Sequence, residues 1–280
     1  MSEARTLSFY LVDAFARRPF AGNPAAVVLP DPERPSASLP DALLQAIAQE
    51  MNLSETAFPD VPGEDGSRPL RWFTPTTEVS LCGHATLAAA HALLEEGVAE
   101  PPLRFDSRSG FLAVQRNDDG TLGLDFPADP PSPAPAPPGL LQVLGAPPEA
   151  EFLQGQRCGL VRLKEEGVLR ALAPDPRALG RIPLPEGMLG VSVTAPGQDD
   201  EVDFVSRFFG PWVGVDEDPV TGMAHTVLAP YWARELGRDE MEARQRSARG
   251  GELRVRVTGE RVMISGAAVT VGKGELYIER

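Results

Sequence analysis

Leu81-Cys82-Gly83-His84-Ala85-Thr86 decides the reading of this chain, because its setting occurs twice. Arg71-Trp72-Phe73-Thr74-Pro75 stands before it, Gly83 follows eight residues after Pro75, and an apolar run ends at Leu94-Glu95-Glu96-Gly97. Further on, Arg207-Phe208-Phe209-Gly210-Pro211 is followed, eleven residues after Pro211, by Gly222-Met223-Ala224, and that run ends at Glu235-Leu236-Gly237. Each copy reads as an aromatic strand, an acidic loop, a glycine and a helix start. Two copies predict duplicated halves that face each other across a cleft, a common place for a small-molecule site.

Outward from these copies, Leu7 to Phe15 reads as a strand, Pro19-Phe20-Ala21-Gly22-Asn23-Pro24 as a turn and Ala25 to Leu29 as a second strand. A helix follows, with Leu43, Leu44, Ile47 and Met51 at helical spacing. Ser38 is placed to cap it, with Asp41 three residues on as in a capping box, and Asn52 to end it. Leu53 to Phe58 reads as extended. Leu103–Phe105, Phe111–Gln115 and Leu122–Phe126 form a meander, with Asp118-Asp119-Gly120 turning its last two strands. Pro127 to Pro138 holds seven prolines in twelve residues, which suits an extended linker and places a domain boundary there.

The second half offers strands near 160–163, 189–194 and 202–209, a helix over Gly222–Leu236, then strands near 253–257, 262–265, 268–271 and 275–278. Strands and helices do not alternate regularly. The expected class is therefore α+β, each half a curled sheet around its apolar helix. The expected domains are residues 1–127, joined by a returning strand within 267–280, and residues 128–266.

A length of 280 residues fits two such halves, and 42% hydrophobic residues suffice for packed cores. A net charge of −14 argues against nucleic acid and against an anionic membrane surface. Two cysteines, Cys82 and Cys158, make no disulfide framework. Without a signal-like start or a membrane-length apolar run, the chain reads as cytoplasmic.

The first amides of a helix attract negative charge. Gly83 and Gly222 would let a ligand come close to such amides, holding a carboxylate or a developing enolate; the competing reading is helix-entry punctuation. His84 sits at one such start, where the dipole keeps an imidazole neutral and able to relay a proton; the competing reading is a structural histidine. His91 and His225 read as structural. No histidine pair has metal-binding spacing, so no metal is expected. Glu55 shares a face with Leu53 and Ala57 in an extended segment, and partial burial would raise its pKa toward acid/base use; the competing reading, which sequence alone favours, is a solvated edge glutamate. Asp216-Glu217-Asp218 supplies either favourable charge before a helix or a second acid/base whose pKa its neighbours raise. Cys82 borders the same place and reads as a packing residue, since a two-thiol racemase would need a partner cysteine near 218–222 and none is there.

Asp13-Ala14-Phe15, Gly22-Asn23-Pro24, Asn52-Leu53-Ser54-Glu55-Thr56, Leu81 to Thr86, Asp125-Phe126-Pro127, Glu217-Asp218-Pro219-Val220-Thr221-Gly222 and Ile264-Ser265-Gly266 span nearly the whole chain. In these blocks the chain resembles the phenazine biosynthesis PhzF-like isomerase family. The resemblance implies a diaminopimelate-epimerase-like fold of two pseudo-symmetric halves, a homodimer, and no metal or organic cofactor. It implies proton movement between carbons, as on a dihydro-hydroxyanthranilate, with Glu55 as acid/base, His84 and Asp218 as its site partners, and backbone donors at Gly83 and Gly222. Asn23, Ser54 and Thr86 are further contact candidates. Met223 departs from the pattern, standing where many members carry serine, and this bears on substrate more than on fold.

The expected function is thus a cofactor-independent isomerase acting on a small carboxylate. Its rivals are an amino-acid racemase or epimerase on the same fold, and a binding protein without turnover.

Overall fold

The structure is a computed structural model, and it describes residues 5–31, 35 and 38–279. It divides into two compact units, residues 1–125 with 265–280, and residues 126–264. The chain passes between them inside the strands Leu122–Pro127 and Arg261–Gly266.

The sequence repeat is a repeat of topology. In the first unit, Arg5–Ala14 pairs antiparallel with Asn23–Val28, which runs parallel to Glu55–Pro59. Glu55–Pro59 pairs antiparallel with Arg68–Phe73, whose other partners are Glu78–Val79, antiparallel, and Leu103–Ser107, parallel. In the second unit, Glu151–Gln154 pairs antiparallel with Cys158–Arg162, which runs parallel to Gly190–Pro196. Gly190–Pro196 pairs antiparallel with Phe204–Gly210, which pairs with Val215–Asp218, antiparallel, and Glu240–Gln245, parallel. The registers correspond residue by residue. Ala25 is opposite Glu55 as Cys158 is opposite Gly190, and Phe58 is opposite Arg71 as Val193 is opposite Arg207.

Side chains repeat too. Arg71 binds Glu78 with two parallel bonds of 2.8 Å, and Arg207 binds Glu217 with bonds of 2.7 and 2.8 Å. Each guanidinium lies 5.0 Å over the phenyl ring two residues on, Phe73 or Phe209. Such forks fix geometry as well as adding energy. They explain why an arginine precedes the aromatic pair in both strands.

Each unit has a long helix starting at the repeated glycine. Gly83–Glu95 buries nine residues, five of them alanine. Alanine favours the helix and lets strands approach its backbone from most sides. Gly222–Leu236 contains Pro230, which has no N–H to offer the Thr226 carbonyl four residues back. The Asp129 amide donates to that carbonyl instead, at 3.0 Å.

That bond bears on the proline-rich segment. It does not serve as a free linker: Pro131 and Pro137 are buried, Ala134 N donates to Phe152 O, and Ser132–Pro133 pairs with the strand Glu151–Gln154. Proline bars a central strand position but not an edge, and this is an edge.

Two local expectations are corrected. The first helix is Asp41–Met51 with Pro40 at its N-cap, and Ser38 does not cap it because its hydroxyl donates to Pro35 O at 2.7 Å. The last two expected strands are one, Ala268–Glu279, which returns to pair along Arg5–Ala14 through a bulge at Leu11/Val12. Asn52 ends the first helix in the left-handed conformation, φ 49°, as the sequence suggested.

Gly22 sets the entry to the strand that carries Asn23. Its φ is +67°, and an added Cβ would lie 2.2 Å from the Ala14 carbonyl oxygen. Gly22→Ala is therefore expected to destabilise the protein by roughly 1–3 kcal/mol or more, since backbone strain and a clash with main chain both act. Equilibrium denaturation against wild type measures it; an unchanged midpoint would contradict the strain.

Candidate active site

The first unit gathers five polar side chains at the start of Gly83–Glu95. Glu55 is the first residue of its strand, and its carboxylate Oε2 lies 3.3 Å from His84 Nε2. Ser54 Oγ lies 3.4 Å from the same nitrogen. On the other side of the ring, Asn23 Nδ2 donates to Nδ1 at 3.2 Å, and Cys82 Sγ lies 3.6 Å from it. With Nδ1 accepting, the neutral ring carries its proton on Nε2, facing Glu55.

Burial sets the electrostatics. His84 and Cys82 are 6% and 7% exposed, Asn23 is fully buried, and the Glu55 side chain is 18% exposed. Desolvation pushes the Glu55 carboxyl above the ordinary carboxylate range, against hydrogen bonds from Ser54 and Cys82 that pull it down. A buried carboxyl beside an imidazole can exchange a proton with little change of net charge, which is the arrangement a general acid/base needs.

The helix itself contributes. Its N-cap, Cys82, makes no side-chain cap bond. Thr86 is fully buried, and its hydroxyl donates to Cys82 O at 2.5 Å. That hydroxyl braces the helix entry.

In the second unit, Asp218 ends its strand, and Oδ2 accepts from Thr221 Oγ1 at 2.5 Å. Gln245, 1% exposed, holds this corner: Nε2 donates to Asp218 O at 2.7 Å and Oε1 accepts from Thr221 N at 2.9 Å. Sequence reading missed Gln245, which lies 24 residues beyond Thr221 and had no local signal. Gly222 is buried and Met223 half-buried at the helix start. The triad of acids is not one cluster. Strand alternation sends Glu217 away from Asp216 and Asp218 to its Arg207 fork, while Asp216 is exposed. His225 is fully buried, its Nδ1 donating to Thr221 O at 2.8 Å, a structural placement. His91 contacts Thr270 Oγ1 and Glu95 on its own helix at 3.1 and 3.2 Å.

Two findings run beyond the sequence reading. Cys82, taken there for a packing residue, stands in the Glu55–His84 group. Glu55, Cys82 and His84 together also offer three metal-ligand atoms within 4.8 Å of one another, although no sequence spacing announced them. Elsewhere, a cavity of about 310 Å³ in the second unit, lined by Arg162, Lys164 and Tyr231 among others, includes none of the expected site residues.

No helix among the described residues is long and apolar enough to cross a membrane. Residues 12–274 match the family model described as phenazine biosynthesis-like protein. An uncharacterized isomerase of Pseudomonas aeruginosa is 52% identical over 273 residues, covering 97% of this chain and 99% of that one. Phenazine biosynthesis-like domain-containing protein 2 of Mus musculus is 40% identical over 296 residues, covering 96% and 99%. The crystal structure of a PhzF-family phenazine biosynthesis protein from Enterococcus faecalis superposes with a TM-score of 0.89 at 44% identity, covering 98% and 100%. A hydroxyproline epimerase from Agrobacterium vitis shares the fold alone, with a TM-score of 0.59 at 14% identity over 100% and 95%. Fold and matches define the class as an isomerase of the epimerase-like α+β architecture. Within that class, the chain belongs to the phenazine biosynthesis-like (PhzF) protein family.

Proposed function

We propose that the protein moves a proton between carbons of a small carboxylate substrate, with Glu55 as acid and base. The observation that carries this reading is Glu55 Oε2 at 3.3 Å from His84 Nε2, on a carboxyl whose pKa burial has raised. Burial raises the Glu55 pKa above the ordinary carboxylate value, the direction that suits a group that takes and returns a proton. Glu55 removes the proton from an acidic C–H, and the bond pair it leaves spreads toward the substrate carboxylate. The proton exchanges with solvent while it rests on the carboxyl, and Glu55 then delivers a proton to another carbon. The shift leaves the substrate's oxidation state unchanged, so it needs no redox group.

His84 orients the Glu55 carboxylate, and Asn23 and Ser54 hold the ring. Amides at the Gly83 helix start suit the substrate carboxylate or the charge that develops on it. Asp218 and Gly222 are the second unit's candidates for substrate contact, and Met223 offers an apolar surface where a hydroxyl would have suited a polar group. A homodimer belongs to the same reading through the family likeness. Sedimentation would check it.

The racemase alternative draws support from Cys82 in the Glu55–His84 group. A two-thiol mechanism needs a second reactive cysteine, and Cys158 is fully buried, with its thiol bonded to Gly159 O and pushed up to about 12.

The test is a panel of small cyclic and amino carboxylates, including a dihydro-hydroxyanthranilate. Each is incubated with the protein and followed by nuclear magnetic resonance and chiral chromatography. A constitutional isomer as product supports the proposal, and a mirror-image or epimeric product supports the racemase. Binding without any product supports a protein that has lost turnover.

A further inference from the structure

The Glu55, Cys82 and His84 side chains come from a strand and a helix start, yet their ligand atoms lie within 4.8 Å of one another. We infer that this group is a binding site for a zinc-class divalent cation, and that the cation, once bound, shuts the acid/base off. The binding half of the inference stands on geometry and donor chemistry. The loss of turnover rests in addition on the proposed role of Glu55.

The donor set chooses the ion. One thiolate sulfur, one imidazole nitrogen and one carboxylate oxygen suit Zn²⁺ or Co²⁺, whereas Mg²⁺ and Ca²⁺ take oxygen alone. The geometry fits as well. Nitrogen and oxygen ligands at about 2.0–2.1 Å from a tetrahedral ion stand roughly 3.3 Å apart. His84 Nε2 and Glu55 Oε2 are 3.3 Å apart without any movement. Cys82 Sγ is the third donor, within 4.8 Å of the other two ligand atoms.

The surroundings support ligation. Metal-binding imidazoles are held at their other nitrogen by an outer partner. Asn23, fully buried and 3.2 Å from Nδ1, is placed for that task. Its amide can donate to Nδ1, as here, or present its oxygen when Nδ1 carries the proton. Three protein ligands leave a fourth position open, near Ser54 Oγ, which lies 3.4 Å from Nε2. Binding releases the thiol proton, and the Glu55 proton where the carboxyl carries one, to solvent, while the ring proton moves from Nε2 to Nδ1 and Asn23 turns its oxygen to accept it; the step is a proton-for-cation exchange with no change of oxidation state. A carboxylate held by the cation accepts no proton from carbon.

The experiment titrates the untagged full-length chain, stripped with a chelator, with Co²⁺ and records its absorption spectrum. Wild type is expected to take up one equivalent, with a sulfur-to-cobalt charge-transfer band and the ligand-field bands of a four-coordinate ion. Zn²⁺ should bleach both. Cys82→Ser should lose the charge-transfer band and Cys158→Ser should keep it. Wild type alone gives a second readout that does not depend on how either variant folds. Zn²⁺ is expected to protect Cys82 from iodoacetamide, as read by peptide mass spectrometry. No charge-transfer band in wild type, a band that survives Cys82→Ser, or alkylation unaffected by Zn²⁺ would each overturn the site. A cation that binds in this way yet leaves turnover intact would keep the site and remove Glu55 from catalysis.

Discussion

Glu55→Gln is expected to lower turnover by at least about 10²-fold, the lower end of what a placed acid/base supplies, while leaving the fold intact. Glutamine keeps the shape and the hydrogen-bonding reach of the side chain but cannot carry a proton between carbons. Stability should move the other way. The folded-state pKa of Glu55 is raised by burial. A carboxyl with a raised folded pKa binds its proton more tightly when folded, so its ionisation costs stability as pH climbs from the unfolded value of 4.5 through the folded one. The variant should thus be at least as stable as wild type at neutral pH, and any advantage should fade below pH 4.5. Denaturant unfolding at several pH values, beside a turnover assay, separates the two effects. Lost turnover together with a lower midpoint at neutral pH would point to a structural role.

Acid lability is the second large effect. Burial in the second unit's core pushes the His225 imidazole down to about 4 from 6.5. Its Nδ1 donates to Thr221 O, Phe204 lies 6.1 Å from its ring centre, and Nε2 has no hydrogen-bond partner among the described residues. With the folded pKa below the unfolded one, the unfolded chain takes up a proton first as pH falls. The neutral ring's contribution is complete above about pH 6.5 and is lost progressively down to about pH 4. A shift of this size corresponds to about 3 kcal/mol across that window. Unfolding free energies for wild type and His225→Phe, measured from pH 7.5 to pH 4, should diverge accordingly, with wild type falling more steeply. Parallel curves would show that the ring protonates without unfolding. With three histidines in the chain, a proton titration by nuclear magnetic resonance would assign the ring directly.

Much of the fold was legible because its signals are local. A glycine opening an alanine-rich run predicts a buried helix, and Asp118-Asp119-Gly120 predicts a turn. The doubled Arg-aromatic strands predicted the duplication. The two arginine forks were half visible, since each repeat carries an acid some residues after its arginine, at spacings of seven and ten. Their pairing depended on strand register, which a chain read in order does not display. The same limit applied to the site. Glu55 and His84 were named separately, but their meeting requires that Glu55–Pro59 and the Gly83 helix pack in one unit. Cys82 read as packing because no partner cysteine stands near 218–222, and only the fold brings it beside residues 27 and 59 positions earlier, Glu55 and Asn23, around His84. The proline-rich segment misled for a physical reason. Composition reports what a segment cannot donate, and here the deciding bond is one that Asp129 gives to a carbonyl freed by another proline.

The duplication also has a lesson for chemistry. Register places Glu55 in the first unit where the second has Gly190, and an added Cβ at Gly190 would meet Phe208 at 2.4 Å. The second unit has no room for a carboxylate at the equivalent place. The halves repeat the frame and not the glutamate, so the proposed proton transfer falls to Glu55 alone.

Solvent-deuterium uptake tests that assignment most directly. A compound turned over by wild type is incubated in heavy water with wild type or with folded Glu55→Gln, and carbon-bound label is read by mass spectrometry. Label is expected at carbon with wild type and none above background with the variant. Equal labelling by both would contradict Glu55 as the group that carries the proton.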